Sequence, residues 1–292
     1  MDDRTALAER FEEDRSHLKA VAYRMLGSAS EADDAVQESW LRVAQADVSG
    51  VQNLTGWLTT VVGRVCLNML RTRRTRREDP LDVYDRTPGH GEGDDPEQEA
   101  LLADSVGLAL LVVLDTLAPA ERLAFVLHDM FAVPFAEIGP LIDHSADSAR
   151  QLASRARRRV KGGATSPDAD LPRRRRVVEA FLSASRGGDF DALLALLHPD
   201  VVLHADRSVI PTPEPVVVRG ARTVAKGAMA ATGRALFTGV ALVDGAVALA
   251  MAPQGRLRLV LGFTIVDGLI TEIDVVADPD RLGGLDIGVL DD

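Results

Sequence analysis

The sequence predicts a multidomain protein in which two small all-α domains, the second with a helix-turn-helix, precede an α+β domain. Three observations predict it. Helical periodicity fills residues 1–77 and 100–163, an acidic segment rich in Pro and Gly separates them at 78–99, and β-rich runs joined by Asp-Gly pairs follow two helices in 173–292. A further short linker, 164–172, precedes the last domain.

The composition is that of a globular protein, with 292 residues of which 46% are hydrophobic. No apolar run approaches the roughly 20 residues of a membrane span, and the N-terminus lacks the order of a signal peptide, so we expect a cytoplasmic protein without membrane contact. Cys66 is the only cysteine, and the six histidines show no metal-ligand spacing. The pattern therefore predicts no metal, no cofactor and no intrachain disulfide.

The net charge of −11 is unevenly distributed. Residues 78–99 carry nine acidic groups and one basic group, whereas 1–77 carry 11 acidic and 12 basic groups. Six arginines lie between Arg64 and Arg77, and six basic residues lie between Arg150 and Lys161. These two basic clusters are candidate nucleic-acid surfaces on an acidic chain.

The first domain is predicted to hold helices at 5–26, 30–46 and 54–77. In the second helix the apolar residues recur at core spacing and leave an outer stripe that is acidic with one apolar member. Such a stripe can dock a basic partner helix, or it can be an ordinary solvated face. The stripe consists of Asp34, Gln37, Glu38 and Leu41.

The third helix combines an amphipathic pattern with an arginine run. An aromatic ring beside guanidinium and amide groups suits the binding of unstacked bases, since rings stack on bases and arginine neutralises phosphates. The alternative is a solvated basic helix with its tryptophan in the core. Trp57, Thr60, Arg64, Asn68 and Arg71 share one face, and Leu58, Val61, Val62, Val65 and Met69 share the other.

The second domain shows the order of a helix-turn-helix. Helices are predicted at 100–118, from Pro119 and from Val133, and Ser145 is expected to cap a last helix that ends near Val160. Outward Gln and Arg side chains suit major-groove edges and phosphates, although a basic helix that merely ends a bundle fits too. Those that point outward or lie at the edges are Asp147, Gln151, Ser154 and Arg158, with Arg150 and Arg155.

With Glu31-Ala-Asp-Asp34-Ala-Val-Gln37-Glu38-Ser-Trp40-Leu41-Arg in the first domain and Gln151-Leu-Ala-Ser154-Arg155-Ala-Arg-Arg in the second, residues 1–163 resemble the extracytoplasmic-function (ECF) sigma factors of bacteria. The resemblance implies that the stripe on the second helix docks on the β′ clamp helices of core RNA polymerase, and that the β flap is a further contact. It implies that the loop near 48–54 and the third helix recognise and melt the promoter −10 element, and that the last helix reads the −35 element. The acidic linker would thread the polymerase along the path of nascent RNA. The implied −10 residues are Trp57, Arg64, Asn68, Arg71 and Arg74, and the implied −35 residues are Ser148, Arg150, Gln151, Ser154, Arg155 and Arg158.

Two positions in the helix-turn-helix depart from that family's pattern. Pro140 should kink or end the first helix, because proline lacks the N–H and clashes with the preceding turn. Asp143 stands where a turn glycine is common, and Asp tolerates the left-handed conformation better than most residues.

The last domain is predicted to begin with helices at 173–186 and 190–197 and to continue as a meandering antiparallel sheet. Asp244-Gly245 and Asp267-Gly268 predict two tight hairpins. The predicted strands lie near 201–206, 215–219, 237–243, 246–252, 256–266 and 269–276.

This order, with the run Gly187-Gly-Asp-Phe-Asp and the tail Asp278-Pro-Asp280-Arg-Leu, resembles the SnoaL-like, ketosteroid-isomerase-like cone. Both halves together resemble the SigJ-type group of ECF factors, although the glycines expected after Asp206 and a Trp-containing interdomain motif are absent. His204 and Asp206 alternate onto one strand face, where a carboxylate in an apolar pocket could be a general base; a surface pair at a strand end is the alternative. The candidate pocket or regulatory residues are His204, Asp206, Asp278 and Asp280, and no catalytic residue is expected.

The sequence thus predicts a sigma factor, not an enzyme, with core RNA polymerase and promoter DNA as partners. We expect the last domain to modulate activity in cis, through a small ligand or a protein regulator. Two alternatives remain at this point: a one-component DNA-binding regulator with a ligand-sensing domain, and a SnoaL-like enzyme with a DNA-binding appendage.

Overall fold

The computed structural model describes residues 3–78, 107–161, 170–209 and 214–290. Of the two predicted linkers, residues 79–99 and 164–169 lie outside these ranges, whereas Glu78 ends the third helix of the chain and Leu171 and Pro172 begin a later helix rather than ending a linker. The chain forms two compact units, of which the first contains Met1–Glu99 and Thr116–Arg157 and the second contains Ala100–Asp115 and Arg158–Asp292.

The first unit is helical. It begins with α1 (Asp3–Leu26), α2 (Ala29–Val43) and α3 (Leu54–Glu78), which confirms the three predicted helices. Ser28 caps α2 by accepting the N–H of Glu31 at 3.4 Å. The core of this bundle is built from fully buried side chains of all three helices, including Leu18, Met25, Val36, Leu58 and Leu67.

The helices of the predicted second domain are α4 (Leu108–Thr116), α5 (Pro119–Phe125), a π-helical turn (Val126–Met130), α6 (Phe135–Leu141) and α7 (Ala146–Val160). The compact units divide this region differently from the predicted boundaries, since α4 belongs to the second unit. Most of α4 is apolar and buried, as expected of a helix that is hydrophobic all round. Its Leu108 packs so closely on Gly239 that a Cβ at Gly239 would lie 2.9 Å from that of Leu108.

The second unit is an α+β domain. Two helices, α8 (Leu171–Gly187) and α9 (Phe190–Leu196), lead into a sheet interrupted by α10 (Ala221–Ala230) and α11 (Thr232–Ala235). A short helix, α12 (Pro279–Gly283), follows the sixth strand. The strands are β1 (Leu197–Ala205), β2 (Val216–Arg219), β3 (Thr238–Val243), β4 (Ala246–Met251), β5 (Leu259–Val266), β6 (Leu269–Val276) and β7 (Ile287–Gly288).

The strand order is β2-β1-β6-β5-β4-β3-β7. Strands β3 to β6 form the predicted antiparallel meander, but β1 pairs with β6 in parallel, so the prediction of a wholly antiparallel sheet is wrong. The predicted list of elements also omitted α10 and α11, which lie between β2 and β3, and α12 and β7, which follow β6. The α+β fold class itself is confirmed.

Both Asp-Gly hairpins are confirmed. Asp244 and Gly245 have φ of 49° and 81°, and Asp267 and Gly268 have φ of 51° and 87°. Two consecutive positive φ values are those of a type I′ turn, whose twist matches that of the strands it joins. Val243 therefore faces Ala246, and the two strands are in register from their first pair.

Candidate protein and nucleic-acid interfaces

The predicted stripe on α2 is an exposed face of that helix. Asp34, Gln37, Glu38 and Leu41 all lie on the surface, opposite buried alanines and valines of the same helix. Leu41 is 56% exposed, which is unusual for a large apolar side chain. Glu38 pairs with Arg42 at 3.0 Å, one turn along the same surface. The stripe therefore offers carboxylates around an exposed leucine, as an interface for a basic partner requires.

The predicted basic face of α3 is also at the surface. Asn53 caps the helix, since its Oδ1 accepts the N–H of Gly56 at 3.0 Å. Trp57 is half-buried, which lies between the two predicted alternatives. The four residues further along this face are exposed: Arg64, Asn68, Arg71 and Arg74. A partly anchored aromatic ring thus begins a line of guanidinium and amide groups.

The opposite face of α3 holds the helix in place. Leu58, Val62 and Val65 are buried as predicted, while Val61 and Met69 are only half-buried. Burial raises the pKa of the Cys66 thiol, on the same face, to about 12. The apolar stripe is therefore shifted toward the side of Cys66, Leu67 and Leu70.

The helix-turn-helix formed by α6 and α7 contains an unusually close backbone approach at Gly139. A Cβ at Gly139 would lie 2.8 Å from the carbonyl oxygen of His144, so only glycine fits there. Pro140 lies in the last turn of α6, which ends at Leu141 as the proline predicts. Asp143 has φ of 60°, which confirms the left-handed turn residue.

Ser145 caps α7, because its Oγ accepts the N–H of Ser148 at 3.1 Å. Arg150 is held at the edge of the helix by Asp147 at 2.7 Å and by the ring of Phe135, whose centroid lies 5.5 Å from the guanidinium carbon. Gln151, Ser154, Arg155 and Arg158 are exposed, whereas Ala149, Ala153 and Ala156 are buried. The outward face of α7 is therefore polar and basic along its length.

A buried arginine that the sequence did not single out ties the two parts of the first unit together. Arg122 is only 2% exposed, and its Nε and Nη2 donate to the carbonyl oxygen of Arg24 at 3.2 and 3.1 Å. Gly63 of α3 lies against the side chains of Leu123 and Leu127, where a Cβ would approach within 3.3 and 3.1 Å. Nothing in the local pattern marks Arg122 as buried, because its acceptor lies 98 residues away.

Asp206 in the last domain is a structural carboxylate. Its Oδ2 accepts the N–H groups of Ala277 and Asp278 at 2.8 and 2.9 Å, and its Oδ1 accepts that of Ser208 at 3.0 Å. Burial raises the pKa of Asp206, but these donors and the nearby Arg281 outweigh it, so that the pKa lies below its ordinary value. A lowered pKa argues against the general base considered from the sequence.

The other three candidate residues of this domain occupy surface positions. His204 pairs with Glu272 at 3.3 Å, and Asp278 caps α12 by accepting the N–H groups of Asp280 and Arg281, each at 3.1 Å. A cavity of about 410 Å³ lies elsewhere, and it is lined by Leu203 and Ala205, on either side of His204 along β1. None of the four candidates lines this cavity. The geometry does not support a pocket role for them, and a regulatory role stays a prediction.

No helix among the described residues is long and apolar enough to cross a membrane. Within the same ranges no group of three or more His, Cys, Asp or Glu side chains is arranged to hold a metal ion.

The chain is similar to known proteins over nearly its whole length. Residues 10–76 match the family model of sigma-70 region 2. The chain is 36% identical to ECF RNA polymerase sigma factor SigJ of Mycobacterium tuberculosis, over 94% of this chain and 92% of that protein. It is 35% identical to the probable ECF RNA polymerase sigma factor SigI of the same species, over 93% of each. The crystal structure of M. tuberculosis SigJ aligns with a TM-score of 0.46 at 34% identity, covering 95% of this chain and 99% of that one. By this similarity over both halves, the chain belongs to the ECF RNA polymerase sigma factors.

Proposed function

We propose that this sigma factor uses three surfaces to direct core RNA polymerase to its promoters. The α2 stripe docks on the β′ clamp helices, the exposed face of α3 holds the melted −10 element, and α7 reads the −35 element while its domain contacts the β flap. The single observation that carries the proposal is that the predicted residues of each surface lie on one helix and are exposed, except Trp57 and Ser148, which are half-buried. In this proposal the predicted domains 1–77, 100–163 and 173–292 act as the functional modules.

The α2 stripe suits a basic partner for two reasons. Carboxylates at Asp34 and Glu38 attract a basic surface and set its orientation, while the exposed Leu41 supplies apolar area at the centre of the contact. Asp34 has no ion pair among the described residues, so docking costs it no internal contact.

The two proposed DNA surfaces differ in chemistry, and each suits a different form of DNA. On α3 a half-buried ring next to arginines suits single-stranded DNA, because stacking tolerates any base and the guanidinium groups neutralise phosphates. On α7 the exposed Gln151 and Arg155 can reach base edges in the major groove, and Ser148 at the helix start can contact a phosphate.

The two DNA surfaces must separate for both elements to be bound at once. Elements centred near −10 and −35 lie about 85 Å apart at roughly 3.4 Å per base pair. A compact body of about 140 residues has a radius of gyration of only about 14 Å. Since α3 and most of α7 belong to one compact unit, we infer that this unit opens when the polymerase and promoter are engaged.

The docking proposal is tested by fluorescence anisotropy with purified core RNA polymerase. We expect tight binding by the full chain and a loss of at least tenfold in Asp34→Arg/Glu38→Arg. The matched control is Glu9→Arg/Asp200→Arg, which makes the same change in net charge at exposed positions outside the stripe. Equal weakening in both variants would contradict a docking site on α2, and absence of binding by the unmodified chain would contradict the proposed function.

We further propose that the last domain modulates the sigma factor in cis, in response to a small ligand or a protein regulator. The support is a direct connection within the second unit: the N–H of Val289, just after β7, donates to the carbonyl oxygen of Val160, the last residue of α7, at 2.9 Å. The segment around β7 is also bonded to the β3–β4 hairpin. The N–H of Asp286 donates to the carboxylate of Asp244, and the carbonyl oxygen of Asp286 accepts the N–H of Asp244. The end of α7, the helix proposed to read the −35 element, is thus bonded to the last domain.

This connection is tested by point substitution rather than by truncation, since removal of the domain would also expose the apolar α4. Val289→Pro removes the N–H donor, and Val289→Ala retains it. We expect the proline variant, and not the alanine variant, to change run-off transcription from a cognate promoter and affinity for −35 DNA. Identical output from both variants and the unmodified chain would argue against control through this bond.

A further inference from the structure

The last domain contains a preformed cavity of about 410 Å³. It lies between the helices α8, α10 and α11 and one face of the sheet, and Phe181, Val224, Leu249, Leu259 and Ile273 are among its lining residues. Its volume is in the range of small-molecule sites. An apolar molecule gains affinity in such a space, because water in an apolar cavity has few hydrogen-bond partners.

Polar side chains are few and are unevenly placed around the cavity. The hydroxyls of Ser185 and Thr238 donate to the carbonyl oxygens of Phe181 and Arg234, at 2.8 and 2.9 Å, so their donors are already used. No acidic residue is among the described residues that line the cavity. The interior therefore disfavours a cation or a strongly polar ligand.

The rim is different, because an arginine lies there. Arg234, on α11, lines the cavity and is exposed, as are its rim neighbours Thr223 and Gly227. Across the described ranges its guanidinium makes no hydrogen bond or ion pair, whereas Arg186 of the same domain donates to the carbonyl oxygens of Ala235 and Thr238. A guanidinium at the edge of an apolar cavity can receive a carboxylate in a bidentate pair.

We propose that this cavity binds a small apolar molecule with one anionic end group, its hydrocarbon body between the helices and the sheet and its carboxylate at Arg234. The inference rests on the proposed regulatory role of the domain and names the chemical class of its ligand. A medium-chain fatty acid has both required features, since its chain is flexible and apolar and it is charged at one end only.

The inference is tested by isothermal titration of the full chain with decanoate and with decan-1-ol, which has the same chain without the charge. We expect decanoate to bind the unmodified chain more tightly. Arg234→Gln should weaken decanoate by about three- to tenfold and leave decan-1-ol unchanged, since only the charged group pairs with the guanidinium.

Two further variants locate the binding. Ala228→Phe places a ring into the cavity from α10 and should abolish binding of both compounds. Ala230→Phe makes the same change at an exposed position of the same helix that does not line the cavity, and should bind both as the unmodified chain does. Binding that survives Ala228→Phe, or no binding at all, would overturn the proposed site, and equal affinity for the two compounds would overturn the anionic end group.

The failure of this inference is distinguishable from the failure of the proposed function. Core polymerase binding and promoter-directed transcription are measured in the same variants without any ligand. A chain that transcribes but binds neither compound contradicts the ligand alone. A chain that binds decanoate at the cavity but does not bind core polymerase contradicts the proposed function alone.

Discussion

Gly139 allows the helix-turn-helix to close, and its replacement by alanine is the sharpest structural test of the module proposed to read the −35 element. An alanine Cβ would lie 2.8 Å from the carbonyl oxygen of His144 and 3.1 Å from both Ala146 N and the carbonyl carbon of Ser145. These are all backbone atoms, so no side-chain rotation relieves the overlap. The carbonyl oxygen of Gly139 also accepts the N–H groups of Ile142 and His144, which fixes the turn in the same place.

The magnitude follows from two opposing effects. Overpacking that forces the backbone to shift costs about 1–3 kcal/mol, whereas alanine in a helix is favoured over glycine by about 1 kcal/mol. The difference between these effects gives a loss of up to about 2 kcal/mol in the free energy of unfolding for Gly139→Ala. The shift of the turn should also rotate the start of α7 and weaken binding to −35 DNA.

The assay is urea denaturation followed by tryptophan fluorescence. Trp40 and Trp57 are the only tryptophans, and both belong to the first unit with Gly139, so the signal reports on this unit. The control is Gly50→Ala, where no atom lies within 4 Å of the added Cβ. Midpoints and slopes are compared between variants. If Gly139→Ala matched Gly50→Ala in both denaturation midpoint and affinity for −35 DNA, the close backbone approach at Gly139 would affect neither stability nor DNA binding, and the reasoning would be refuted.

Three other predictions concern the carboxylate of Asp206, the single cysteine and the opening of the first unit. Asp206→Asn should destabilise the last domain by about 1–3 kcal/mol, because the carboxylate that accepts the N–H groups of Ala277 and Asp278 is lost. Amide exchange at these two residues should become faster, as mass spectrometry measures. Unchanged exchange rates would contradict this role of the carboxylate. Since the folded-state pKa of Asp206 is lowered, its contribution to the free energy of unfolding should be complete above the unfolded-state pKa of about 3.9. The contribution should be lost as the pH falls through the folded-state pKa, and Asp206→Asn should lack this pH dependence. Cys66 should react with iodoacetamide about a thousandfold more slowly in the native chain than in the urea-unfolded chain, because burial raises its pKa to about 12; a native rate close to the unfolded rate would refute this. Fluorophores on Thr72→Cys and His144→Cys, exposed positions outside the proposed DNA contacts, should move apart by several tens of ångströms when polymerase and promoter are added, as energy transfer measures, and a constant distance would exclude the opening.

The parts of the fold that were predictable are those set by near neighbours in the chain. The helical faces of α2, α3 and α7 follow from a repeat of 3.6 residues, which places side chains three or four positions apart on one side. The two Asp-Gly turns follow from the ability of these residues to adopt positive φ. Most residues proposed to touch polymerase and DNA were found by the same local periodicity, because exposure on one helix face is a property of a short segment. Arg74 and Ser148 were added only by the resemblance to the ECF sigma factors.

Missed features depend on partners that are remote in the sequence. The role of Asp206 is defined by N–H groups 71 and 72 positions away, and nothing in its own segment points to them. Trp57 is half-buried because of the packing around its helix, which a helical wheel does not contain. The cavity is likewise assembled from helices and strands distributed over the whole domain, so no single segment carries its pattern.

The amino-acid sequence by itself determined the helical and α+β halves, the helix-turn-helix and the surfaces that face solvent, since these depend on interactions within a few turns of chain. Only the tertiary structure decided the parallel pairing of β1 with β6, the burial of Arg122, the membership of α4 in the second unit and the bond between Val289 and Val160. Each of these joins segments tens of residues apart or more. Their formation depends on which apolar surfaces and backbone groups meet after the chain has collapsed, and local periodicity carries no information about that choice.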